Sequence, residues 1–175
     1  MTSQIHPGHA AREPFAHSDA SRLAGRAVVA GIIGGILIDV FLFFAHAPFP
    51  GVYQYIASTV VGKEALASPS YIWLGVAMHF AVSIGWALIY AFVADRLHVL
   101  HRYVVAGLVF GVVVMVVMEI VQMVAGIAQP ITVQSAIVTV IAHLVFFGLP
   151  VAWFVGRSVR PPAIATLGLN TPKGE

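Results

Sequence analysis

Four ionisable residues stand inside long apolar stretches of this chain: Asp39, His79, Glu119 and His143. Two carboxylates and two imidazoles can take up and release protons in the mildly acid range, or coordinate a borderline or hard cation such as zinc, iron or manganese. A charge at the centre of a bilayer costs ~2.5 to 3.5 kcal/mol on insertion scales, so such groups pair with one another or line a water-filled path. Each of the four also sits in an i, i+4 row of small or polar residues. The rows run Ala27, Gly31, Gly35, Asp39; Gly75, His79, Ser83, Ala87, Ala91; Gly107, Gly111, Met115, Glu119; and Ser135, Thr139, His143. Residues four apart share a helix face, and small residues mark the faces where backbones approach closely. Gly31, Gly35, Gly75, Gly107 and Gly111 are therefore expected at helix contacts, and the four ionisable groups are expected to converge on one polar pocket. Ser83, Gln122 and Thr139 are candidate accessory partners, and His46, seven residues after Asp39, is placed to cap the site from above.

Simpler uses compete with this reading. Polar groups between membrane helices also fix register, at ~0.6 kcal/mol per pair. His79 and His143 on facing helices could ligate a haem, although their offset of about four residues, ~6 Å, makes coaxial ligation awkward. The paired Glu-x-x-His signature of di-iron bundles is absent, and no cofactor is required. Ser83 near His79 has no evident oxyanion donor, which disfavours a hydrolase, and four short-looped helices leave little room for an enzyme of any kind. Met115, Met118 and Met123 read as packing groups, since neither cysteine nor a methionine-rich run supports a copper site.

The elements that must hold these groups are four apolar runs: Ala27 to His46, Tyr71 to Ala94, Tyr103 to Ala128 and Ile131 to Val155. Each is near the ~20 residues a helix needs to cross ~30 Å of hydrocarbon. The fold class is all-α, a polytopic four-helix membrane bundle. Hydrophobic residues make up 59% of the 175 and charged residues 9%, too little polar surface to coat a soluble globule. Nine Lys and Arg against seven Asp and Glu form no basic patch, which argues against nucleic acid. The absence of cysteine excludes disulfides and thiolate sites. Residues 1–26 and 158–175 read as tails flanking a transmembrane domain over 27–157, the first disordered and without the pattern of a removable signal peptide. Arg12, Arg22, Arg26, Arg96, Arg102, Arg157, Arg160 and Lys173 fall on one side and Lys63 on the other, so both termini are expected in the cytoplasm. Tyr71 and Trp73 at one boundary, and Tyr103 and Trp153 at the other, fit aromatic belts. Between the first two runs, Val52 to Val61 is expected as a short interfacial helix, and Pro150 is expected to kink the last span and free the carbonyl of Phe146.

From Met78 to Arg160 the text carries His79-Phe80 with Ser83 and Tyr90, then Ala106-Gly107, then Ala142-His143-Leu144-Val145-Phe146 with basic residues just beyond. In these features it resembles the YagU-like family of small bacterial inner-membrane proteins. The resemblance implies a bacterial inner membrane, four spans and a role in acid tolerance, and it carries over to His79 and His143. The expectation is thus a membrane protein that binds or moves protons or ions through Asp39, His79, Glu119 and His143. The alternative is a small accessory subunit packed on itself or on a larger membrane complex.

Overall fold

A computed structural model of the chain describes residues 20–45 and 51–157. The described residues form helices and no strand. Seven α-helices are α1 (Ala20–Phe44), α2 (Gly51–Val61), α3 (Glu64–Ala67), α4 (Ile72–Arg96), α5 (Tyr103–Val124), α6 (Val133–Ile141) and α7 (Leu149–Gly156). Four rods are long and apolar enough to cross a membrane: Ala20–Phe44, Pro69–Arg96, Leu100–Val124 and Val133–Gly156. The first begins seven residues before the expected Ala27. Arg22 and Arg26 lower the hydropathy of that opening without disfavouring helix, so the chain is helical before it becomes apolar. His46, the rest of the N-terminal tail and residues 158–175 lie outside the described residues.

The packing inverts the pattern of a soluble globule. The best-buried positions are largely small, including Ala27, Ala30, Ala57, Ala87, Ala91, Ala142 and Ala152, while Phe43, Phe44, Phe92, Trp73, Val105 and Val124 stand exposed. Small side chains inside bring backbones together, and large apolar ones outside present an oily surface. An added Cβ at Gly31 would lie 2.6 Å from the Ile84 Cα of α4. One at Gly107 would lie 2.9 Å from the Ala152 Cβ, and one at Gly111 2.7 Å from the His143 carbonyl oxygen. Two close antiparallel pairs result, α1 with α4 and α5 with the last rod, and they join where α1 packs on that last rod. Phe41 and Phe146 stack across the join at 4.5 Å. The helices α4 and α5, though joined by a short turn, barely touch beyond the contacts of Trp86 and Tyr90 with Phe110. A gap opens between them toward the other end.

The last rod is not one regular helix. Between α6 and α7, Ala142–Gly148 winds as a π-helix, with the Leu149 amide donating to the Leu144 carbonyl five residues back. Pro150 follows at once in the first turn of α7. A proline has no amide to give the carbonyl four residues earlier, and a widened turn is one way the backbone accommodates that. The expected kink is therefore expressed as a local change of winding that begins beside His143. At the other end of the rod, Thr132 and Ser135 form a reciprocal capping box, so Ser135 caps α6 at the surface instead of facing the bundle interior.

Residues 51–67 lie over the gap. Helix α2 lies against the start of α4 so closely that a Cβ at Gly75 would collide with the Tyr53 carbonyl. Ala57 and Ser58 are buried beneath it. Gly62, with φ of 100°, ends α2 in a conformation that favours glycine.

Candidate functional site

The α1 and α4 rows bring Asp39 and His79 face to face. Gly35 stands one turn before Asp39 and faces α4; a Cβ there would meet the Ser83 Oγ at 3.2 Å and the His79 Nε2 at 3.4 Å. The missing side chain leaves room for the imidazole to lie along α1, where its Nε2 is 3.2 Å from the Gly35 carbonyl oxygen and 3.3 Å from Asp39 Oδ1. Only 12% of the His79 side chain and 13% of the Asp39 side chain remain exposed. Since a carbonyl only accepts, the Gly35 contact requires a proton on Nε2. That single N–H has two acceptors before it, and Asp39 Oδ1 is left buried without a hydrogen bond.

The second carboxylate oxygen is held by a residue that the sequence reading placed in an interfacial helix and gave no site role. The Tyr53 hydroxyl of α2 donates to Asp39 Oδ2 at 2.8 Å. Burial, the hydrogen bond to Asp39 and the charge of that carboxylate push the Tyr53 phenol up to about 12. Two residues on, the Tyr55 hydroxyl donates to Gln122 Oε1 at 2.7 Å and reaches the Ile127 carbonyl at 3.2 Å. The positive φ of Gly126 turns the chain so that this carbonyl lies within reach. Positions i and i+2 of a helix point about 200° apart, so the Tyr-Gln-Tyr sequence lets one short helix fasten to α1 and to α5 at once. Burial and then the charge of Glu119 raise the Tyr55 phenol as well.

The expectation of a single four-membered cluster is not met. Asp39 pairs with His79 and Tyr53. His143 turns to its own helix, its Nδ1 2.9 Å from the Thr139 carbonyl oxygen. Glu119 lines a groove of about 560 Å³ between α5 and α6 with Met115, Gln129 and Ser135. A cavity of about 270 Å³ lies between α4 and α5 under α2, with His79 and Ser83 on one wall and Gln122, Thr139 and His143 on the other. Spacing along each helix placed the four groups at similar depth; His143 lines both the groove with Glu119 and the cavity with His79, while Tyr53 of α2 takes the place beside Asp39.

No family model, curated protein or solved structure matches this chain. The site is therefore read from its own geometry. Among the described residues, no three of His, Asp and Glu stand close enough together to hold a metal ion. The space between His79 and His143 falls below the ~300 to 1,000 Å³ of ordinary ligand pockets, small for a haem.

Proposed function

We propose that this chain is a four-span membrane protein that takes up a proton at the Asp39–His79 pair, and that this uptake serves tolerance of acid. The observation that carries the reading is the buried Asp39 Oδ1, 3.3 Å from His79 Nε2 and without a hydrogen bond of its own. With His79 neutral, the pair holds a net charge of −1 in apolar surroundings. One added proton converts it to a neutral acid and imidazole or to a neutral ion pair, and either removes the uncompensated charge. Tyr53 holds the carboxylate in place by its other oxygen, and the polar wall of the neighbouring cavity offers a route along which water can deliver the proton.

The membrane setting is supported by the four apolar rods and by their exposed Phe, Val and Trp side chains. Arg22 and Arg26 of α1, Arg96 of α4, Arg102 and Arg157 belong to the same end of the antiparallel rods, and Lys63 to the other. By the excess of basic residues on the cytoplasmic side, the termini face the cytoplasm and the site opens outward, in a bacterial inner membrane as the YagU-like resemblance implies. Proton flux into proteoliposomes tests the function. Asp39→Asn and His79→Gln should each abolish a flux that Glu119→Gln leaves largely intact; equal flux in all three variants and the parent would reject the reading.

A further inference from the structure

The cavity between α4 and α5 has chemistry that proton uptake at Asp39 does not use. Its walls are mostly apolar, with Ile38, Leu42, Val82, Met118 and Phe147 among them, and Trp86 closes one side. Into it face polar groups with unspent hydrogen-bonding capacity. His143 donates its Nδ1 proton to the Thr139 carbonyl, so in the neutral ring Nε2 is a bare acceptor. Gln122 spends its Oε1 on Tyr55, leaving two amide N–H donors. Ser83, 5% exposed, also lines the space.

We infer that this cavity binds a small, uncharged aromatic molecule bearing a hydroxyl, a compound of the phenol class. Size sets the first limit. A cavity of about 150 Å³ admits benzene, so about 270 Å³ takes a ring with a modest substituent. Charge sets the second: neither Asp39, Glu119 nor any Lys or Arg lines the space, so an ion would enter desolvated and uncompensated. Shape and polarity set the third. Trp86 and Phe147 offer ring faces and edges, while His143 Nε2 accepts a hydroxyl proton and the Gln122 amide donates to the hydroxyl oxygen. Asp39 lies outside the cavity wall, whereas its partner His79 forms part of it. Asp39→Asn should remove proton uptake and leave this binding unchanged.

Trp86 supplies the reporter. In the full chain carrying Trp73→Phe and Trp153→Phe, Trp86 fluorescence should be quenched saturably by 4-bromophenol through its heavy atom. Bromobenzene, which lacks the hydroxyl, should bind about tenfold more weakly, the equivalent of one net hydrogen bond. A companion protein retaining only Trp73, which is 79% exposed, should show linear, unsaturable quenching from partitioning into the detergent. Gln122→Leu should weaken 4-bromophenol binding, and Ala142→Leu should eliminate it by filling the space. Should Ala142→Leu fail to fold, Val82→Phe fills the cavity from its rim and serves the same purpose. Equal affinity for the two bromoarenes, quenching at Trp86 no different from that at Trp73, or saturable binding that survives a folded cavity-filling variant would each overturn the inference.

Discussion

Replacing Gly75 with alanine should undock α2 from the bundle. The three atoms nearest a Cβ at this position are all Tyr53 backbone, with the Cα at 2.8 Å and the carbonyl oxygen nearer still. Backbone cannot swing aside as a side chain can, so α2 must move as a unit. Overpacking of this kind costs about 1 to 3 kcal/mol. The Tyr53 hydrogen bond to the Asp39 carboxylate, a bond of the class worth about 1.5 to 3 kcal/mol, is lost as α2 lifts. Against this, alanine gains up to about 1 kcal/mol over glycine in a helix interior. The balance lowers the free energy of opening α2 by about 3 kcal/mol, or roughly 150-fold faster amide exchange over residues 51–61. Gly85→Ala in the same helix is the control, because a Cβ there meets nothing within 4 Å and brings only the propensity gain. Hydrogen exchange in detergent should show α2 labile in Gly75→Ala and protected in Gly85→Ala. Equal protection in the two variants would refute the claim that α2 is held by close backbone contact with α4.

Other outcomes follow from the same contacts. Tyr53→Phe should remove one late-ionising phenol from the alkaline absorbance titration. Because the folded state raises that phenol from 10.0 to about 12, α2 docking should be intact below the lower value and fail as pH rises through the upper one. Gly111→Ala should disturb the π-wound segment, since the new Cβ meets the His143 carbonyl oxygen at 2.7 Å and the Leu144 Cα at 2.9 Å; loss of thermal stability of about 1 to 3 kcal/mol is expected, and an unchanged melting temperature would contradict the packing. The natural chain has no cysteine, so single introduced thiols report topology cleanly. Ser70→Cys should react with an impermeant maleimide from the outer face of intact cells and His101→Cys only after permeabilisation, and the reverse pattern would invert the proposed orientation.

Much of the architecture was legible because the rods are written in simple terms. Runs of about 20 apolar residues announce their own length, and the glycine rows of α1 and α5 announce which faces meet. The pairing of Asp39 with His79 could be anticipated from those rows. Its tyrosine partner could not, because Tyr53 lies in a loop helix whose docking depends on the bare Gly75 of another element. The signal was present in two phenols spaced two residues apart beside a proline-rich turn, but it names no partner until three dimensions supply one. How Glu119 and His143 sit, the two lining one groove and His143 also the cavity beside His79, was harder to read. Their depth follows from residue counts, whereas rotation about the helix axis depends on local winding, and the π-wound turn starting at Ala142 changes that rotation just where His143 sits. Ser135 likewise shares the i, i+4 row with Thr139 and His143, yet it sits in the first turn, where capping the helix end takes precedence.

On the function proposed above, Asp39 and His79 bind one proton between them. Proton uptake can be counted directly, by stepping detergent-solubilised protein from about pH 8 to about pH 5, the range in which imidazole chemistry operates, and reading an indicator dye. Relative to the parent chain, Asp39→Asn and His79→Gln should each take up one proton fewer, and the double variant should lose no more than either single change. Two independent losses that add in the double variant, or no loss in Asp39→Asn, would show that the pair does not act as one proton-binding unit.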